Sequence, residues 1–393
     1  MHNPPVPFHF SSRTPADLEP NRITLARAAH PPAYDLTDSN PTRCGIPYPE
    51  DLLRPLADPA GLAYRPDPRG LVEARRAVSA EYARQGAAVP VERLVLTAST
   101  SEAYALLFKL LCEPGEAVLV GVPSYPLFDH LARVEGVRTE PYHLDPDQGW
   151  RLDLHELAAA PADTRAVVVV HPNNPTGSYL DPGDAAALQA LCAARGWALV
   201  VDEVFLDFPL AEGGQRARSL AGSATCLTFA LGGLSKSVGL PQLKLGWIAA
   251  SGPEDVVAPA LERLEYLADT FLSVATPVQL AAAELLARGA TVRAAIRTRC
   301  RSNLTVLREV VGRCPALEVL PPGGGWSAVL RFPAVVDEEE LAVELLERDG
   351  VAVQPGFFFD FPRDGHLVLS LLPESATFRE GAARLGAHLG RLG

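Results

Sequence analysis

Apolar and polar positions along the chain fall into two regimes. From Leu71 to Gln85 the sequence LVEARRAVSAEYARQ repeats its apolar residues at helical spacing and predicts an amphipathic helix. A regular alternation follows. Short apolar strands are expected at Leu94–Thr97, Ala117–Val122, Ala166–Val170, Trp197–Val201, Thr225–Leu231 and Leu245–Ala250, with helices at Glu102–Leu111 and Asp184–Arg195 among them. Several of these strands are apolar on both faces, which predicts a mainly parallel sheet covered by helices. Right-handed crossovers would then align the carboxyl ends of the strands along one edge, where ligands bind.

Past Pro277 the pattern changes. A long helical run, Val278–Val311, precedes strands at Leu317–Leu320 and Ser327–Phe332, a helix at Glu338–Arg348, strands near Val351 and Leu367, and a closing helix at Ala376–Leu392. The expected fold is therefore α/β, a large domain over 46–277 followed by a smaller α+β domain over 278–393. Residues 1–45 are rich in proline and polar residues, and predict an arm and part of the small domain. Tyr34–Pro49 is turn-forming throughout.

Composition narrows the function classes. The chain has 393 residues, 48% hydrophobic and 21% charged, enough for a large core and a smaller one. A net charge of −12 argues against nucleic acid or anionic membrane as broad partners. No apolar stretch approaches a membrane span. Cys44, Cys112, Cys192, Cys226, Cys300 and Cys314 are scattered, without a CxxC pair, and read as reduced thiols of a cytoplasmic protein rather than zinc ligands.

Four expected strand ends carry distinctive loops. Ser99, Thr100 and Ser101 put hydroxyls and free amides at a helix N-terminus, which suits a phosphate or a simple N-cap. His171-Pro172-Asn173-Asn174-Pro175-Thr176-Gly177 is a stiff loop that would aim an asparagine amide. Asp202-Glu203 places acids where burial demands a cation. Ser235-Lys236 sits in a small-residue turn, where burial would lower the lysine pKa and free the amine as a nucleophile; a solvated loop lysine is the alternative. An acid, an aimed amide, an anion cup and a reactive lysine together suit pyridoxal 5′-phosphate.

Over nearly its whole length the chain resembles the class I/II aminotransferases, the fold-type I pyridoxal-phosphate enzymes. The matching stretches are YRPDPRG (64–70), TASTSEA, VPSYP, HPNNPTG, VDEVF and LSKSVGLPQLKLGW. The resemblance implies that Lys236 forms the Schiff base and moves the substrate's α-proton, that Asp202 pairs with the pyridinium nitrogen, and that Asn174 donates to the phenolic oxygen. It implies that Tyr125 stacks on the ring, and that Ser99, Thr100, Ser101, Ser235 and Lys244 hold the phosphate. Tyr64 would reach the neighbouring subunit's phosphate, so a homodimer with shared sites is implied. Core packing is the alternative for both tyrosines.

Four positions depart from the family. Phe205 stands where a tyrosine usually donates to the phenolic oxygen, so the Schiff base should keep its proton to higher pH. Lys244 replaces an arginine and loses its fork. Gly233 replaces a serine. Val368, two residues before Ser370, stands where an arginine grips the substrate carboxylate. Arg43, after the SNPT turn that contains Asn40, is the preferred substitute, with Arg363 and His366 behind it; a solvated loop charge is the alternative for Arg43. A substrate without a free α-carboxylate is the competing explanation. Trp326, Phe357 and Phe359 would form an apolar wall, or belong to the core. The expected function is an aminotransferase acting on an amino acid or related amine with a keto-acid acceptor. A β/γ-lyase, decarboxylase, oxidative or cyclising enzyme on the same scaffold is the first rival, and a non-catalytic ligand sensor the second.

Overall fold

The structure is a computed structural model that describes residues 9–211 and 219–391. Eight strands form its main sheet, in the order Leu94–Thr97, Gly246–Ser251, Thr228–Gly233, Ala198–Asp202, Thr164–Val170, Ala117–Val122, Arg138–Asp145 and Arg151–Leu152. Five adjacent strands, from Thr228–Gly233 to Arg138–Asp145, are mutually parallel. Gly246–Ser251 runs antiparallel between its two neighbours, and Arg151–Leu152 antiparallel at the far edge. Continuous β-branched and aliphatic runs bury both faces. Val118, Ala166, Val168 and Val200 pack under the helices Thr100–Leu111 and Glu254–Phe271, while Leu119, Val167, Val169 and Leu199 pack with Leu188 of Pro182–Arg195. Each such side chain contributes about 1.5–3 kcal/mol when fully buried.

The expected strands lie within a few residues of the observed ones. Thr225–Leu231 moves to Thr228–Gly233, so the strand ends directly at the turn Leu234–Ser237 that carries Lys236. The expected single helix Val278–Val311 is two, Thr276–Arg288 and Ala290–Val311, parted at Gly289, where a Cβ would lie 2.4 Å from Val238. Thr276–Arg288 still packs on Val72–Gln85, so the expected boundary at 277 falls inside a helix attached to the large domain.

The smaller layer is a four-stranded antiparallel sheet, ordered Glu318–Leu320, Ser327–Arg331, His366–Ser370, Gln354–Pro355. The N-terminal segment joins it. Helix Arg22–Ala29, capped by Asn21, packs on Glu338–Asp349, and Tyr34–Asp35 pairs in parallel with Val351–Ala352. Leu36 extends the link, its carbonyl accepting from Ser370 N at 2.7 Å.

A backbone clasp joins the two layers beside the strand ends. Gly323 N and Gly324 N both donate to Gly177 O, at 3.0 and 2.9 Å, and Gly325 N donates to Phe208 O at 2.9 Å. Gly177 has φ +70°, and a Cβ there would fall 2.5 Å from Gly324 O. Only glycine meets both demands.

Candidate active site

Register places the loops together. Thr97, Gly246 and Gly233 lie in one row across three strands, which brings Ser99–Ser101 beside Ser235–Lys236. Val170, Asp202 and Leu231 form a second row, which sets the Asn173–Asn174 loop beside Asp202.

Lys236 stands on the single turn Leu234–Ser237. That turn is held from below: Ser237 Oγ donates to Gly233 O at 2.9 Å, and Arg293 Nε donates to Ser237 O at 2.8 Å. The Lys236 amine rests 5.0 Å from the centre of the Trp326 ring and 5.6 Å from that of Phe205. Burial lowers its pKa, and the nearby Asp202 charge opposes this in part.

Asp202 is buried and accepts two hydrogen bonds, from Tyr104 OH at 3.2 Å and from Val204 N at 3.1 Å. Burial pushes its carboxyl up to about 6. A carboxylate with so few donors favours a cationic partner. Glu203 is satisfied elsewhere, by Ser219 Oγ at 2.6 Å and Leu220 N at 2.7 Å, and burial pushes it up to about 7. Of the two acids, Asp202 is the one that faces the lysine electrostatically.

The loop after Thr164–Val170 contains two cis bonds, His171–Pro172 and Asn174–Pro175. Asn173 fastens it, its Nδ2 donating to Pro123 O at 3.0 Å and to Thr176 Oγ1 at 2.9 Å. Asn174 is half-buried, and its Oδ1 accepts from Ser327 Oγ at 3.3 Å across the domain seam. Tyr125 follows on the Pro123 loop, part exposed, its phenol pKa raised by burial and by the Asp202 charge.

Ser99 does cap its helix, Oγ accepting from Glu102 N at 3.1 Å, and the amides of Thr100 and Ser101 precede the first helical hydrogen bond. Gly246 opens the space beside them: a Cβ there would stand 3.0 Å from Thr97 Oγ1 and 3.2 Å from Thr100 N. Lys244 is exposed in a left-handed conformation, φ +52°, and pairs with no carboxylate among the described residues. An unpaired cation, three hydroxyls and two free amides suit a phosphate.

The remaining candidates are placed differently. Tyr64, 77% exposed, lines a cleft with Phe271, Leu272 and Gln279 that also reaches Glu102. Arg43 is exposed and directs Nε toward Asp38 Oδ2 at 3.5 Å. Asn40 spends its Oδ1 on Thr42 N and Thr42 Oγ1, at 3.0 and 2.8 Å. Val368 is 1% exposed and packs with Val329, Leu320 and Phe359, so the ring of Phe359 belongs to a dry core cluster. His366 is buried and stacks on Phe361, its Nδ1 3.0 Å from Arg363 O. Trp326 is 2% exposed, with Phe205 and Phe208 edge-on at 5.4 and 5.0 Å. The sequence reading missed Tyr104, Gly246 and Ser327. Tyr104 carried a faint signal, a hydroxyl on an otherwise apolar helix face.

The buried acid, the desolvated lysine, the aimed amide and the open phosphate cup fit pyridoxal 5′-phosphate, whose ring nitrogen Asp202 would hold and whose phosphate the Ser99–Ser101 turn, Ser235 and Lys244 would hold. Comparison with known proteins agrees. The profile of the family "Aminotransferase class I and II" matches residues 50–385. Alanine aminotransferase of Mycobacterium tuberculosis is 28% identical over 371 residues, covering 90% of this chain and 85% of that one. Capreomycidine synthase of Streptomyces vinaceus is 33% identical over 305 residues, covering 76% and 74%. A mutant aspartate aminotransferase of Thermus thermophilus superposes with a TM-score of 0.82 at 25% identity, covering 97% of this chain and 99% of that one. The fold is that of the fold-type I enzymes, and the chain belongs to the pyridoxal-phosphate-dependent class I and II aminotransferases.

Proposed function

We propose that this enzyme moves the amino group of an amino acid to a 2-oxo acid, with Lys236 as its base. When bound, pyridoxal phosphate supplies an electron sink for the charge left at the substrate's α-carbon. Lys236, its pKa lowered by burial, would take and return the α-proton. Asp202 would hold a proton on the ring nitrogen, Asn174 would donate to the ring oxygen, and Tyr125 would cover the ring. The observation that carries this reading is the pairing of a desolvated lysine with a buried carboxylate at neighbouring strand ends. The alanine and pyruvate pair is the first to test, because a relative is an alanine aminotransferase.

The working unit in this reading is a homodimer. Leu62, Tyr64, Tyr266 and Phe271 are all more than half exposed, and Tyr64 and Phe271 share one cleft. A partner subunit would cover them and bring Tyr64 to its own phosphate cup. Sedimentation at micromolar concentration tests the dimer, and Tyr64→Phe should loosen cofactor hold. All six cysteines are free, which supports a cytoplasmic setting.

A second reading has its own observations. Val368 removes the cation expected for an α-carboxylate, and one relative is a capreomycidine synthase. A cyclising or eliminating reaction on an amino acid held by other groups would account for both. Single-turnover spectroscopy with a panel of amino acids separates the two. Transamination leaves the cofactor in its amine form with one equivalent of 2-oxo acid. Elimination or cyclisation restores the starting spectrum. In either reading Arg43→Ala tests the proposed carboxylate contact: a raised KM supports it, and an unchanged KM removes Arg43 from the site.

A further inference from the structure

We infer that Ser327 is a positioning residue for the cofactor, acting through Asn174 and resting on the pyridoxal-phosphate reading of the site. Ser327 opens the small-domain strand Ser327–Arg331, and Asn174 lies 153 positions earlier on a large-domain loop. Their contact is one hydrogen bond, Ser327 Oγ donating to Asn174 Oδ1 at 3.3 Å. A primary amide has two ends of nearly equal size, and only its nitrogen end donates. By occupying the carbonyl end, the serine hydroxyl determines that the amide presents N–H to the ring oxygen.

Two features of this chain give that choice weight. Phe205 lacks a hydroxyl, so Asn174 is the one side chain assigned to donate to the ring oxygen. Ser327 is also fixed in place without help from substrate. The preceding Gly323–Gly325 turn is tied to Gly177 O and Phe208 O, and Leu371 N donates to Trp326 O at 2.7 Å. Gly177 closes the same loop that carries Asn174. The serine and the asparagine are thus set on two segments already joined through backbone, and the amide is oriented before any substrate enters.

A pH titration of the visible band of the lysine-bound cofactor tests this. An N–H donated to the ring oxygen withdraws charge from it and weakens its hold on the Schiff-base proton. Loss of that donation raises the midpoint. Ser327→Ala should therefore shift the midpoint upward by roughly half to one pH unit, the worth of one hydrogen bond. Ser327→Thr, which keeps the hydroxyl, should restore it. In an Asn174→Ala background Ser327→Ala should add no further shift. An unmoved midpoint in Ser327→Ala that still binds the cofactor would overturn the inference, as would an equal shift in the Asn174→Ala background. A wild-type protein with no band trapped by borohydride on Lys236 would remove the cofactor reading itself, and this inference with it.

Discussion

The Lys236 amine lies 5.0 Å from the centre of the Trp326 ring, so the nucleophile of this site faces an aromatic wall rather than water. Two effects oppose each other there. The ring's negative face favours the ammonium, by about 2 kcal/mol at a desolvated site. Burial disfavours it and outweighs the opposing Asp202 charge, so the pKa is lowered. Cofactor-free enzyme should take up pyridoxal phosphate with a rate that rises with pH and levels off below the range of an ordinary lysine. Stopped-flow absorbance measures it, and Lys236→Ala should show no borohydride-stable adduct.

Phe205 packs edge-on to Trp326 and borders the same amine. Restoring the hydroxyl with Phe205→Tyr adds a donor for the ring oxygen. The midpoint of the visible band should fall by about one pH unit. A titration in which the variant matches wild type would argue that position 205 does not reach that oxygen.

Gly246 keeps the phosphate cup open, because a Cβ would press on Thr97 Oγ1 and the Thr100 amide. Gly246→Ala should raise the cofactor dissociation constant roughly tenfold, as expected for an overpacked site. Equilibrium dialysis reads this, and thermal stability of the cofactor-free protein serves as the control.

Arg293 connects the catalytic turn to a buried ionic cluster. Its Nη2 is 2.6 Å from Glu81 Oε1 and its Nε 3.4 Å from Asp207 Oδ2, with both acids buried. Arg84 joins the same acids from a more exposed position. Arg293→Met should cost about 3–5 kcal/mol, since it strips a buried carboxylate of a partner, and Arg84→Met clearly less. Urea midpoints of the two variants give the comparison.

Burial raises the carboxyl pKa of Asp202 from 3.8 to about 6 and of Glu203 from 4.5 to about 7. The folded protein therefore binds these protons more tightly than the unfolded chain. Their contribution to stability is fully present below about pH 4 and is lost as pH rises toward 7. Cofactor-free protein should lose part of its thermal stability across that window, and Glu203→Gln should flatten the loss. Melting temperatures from pH 4 to 7.5 test the sign, with bound cofactor expected to offset the Asp202 part.

Local pattern carried most of the large domain. Ala166–Val169 and Leu199–Val201 are buried on both faces, so strands and their ends could be placed from hydrophobicity alone. The penultimate strand Arg138–Asp145 escaped notice because only Tyr142 and Leu144 are buried on it. Helix Glu254–Phe271 went unrecognised; it starts after Pro253 and holds Pro259 inside it, and proline interrupts a helical pattern. In the site, Lys236, Asp202 and Asn174 were legible as short motifs. Tyr104 and Ser327 were not, because their partners lie 98 and 153 residues away and only the fold makes them neighbours.

The strand pairing of Tyr34–Asp35 with Val351–Ala352, continued by Leu36 to Ser370, has an evolutionary consequence. It bolts the SNPT turn with Asn40 and Arg43 to the C-terminal layer, while Ser99–Ser101, Asp202 and Lys236 belong to the central sheet and its loops. Under the proposed substrate role of Asn40 and Arg43, exchange of the first forty-four positions should change substrate preference with little disturbance of the coenzyme cradle. Chimeras between this chain and its relatives, cut after Cys44, are a direct route to altered selectivity.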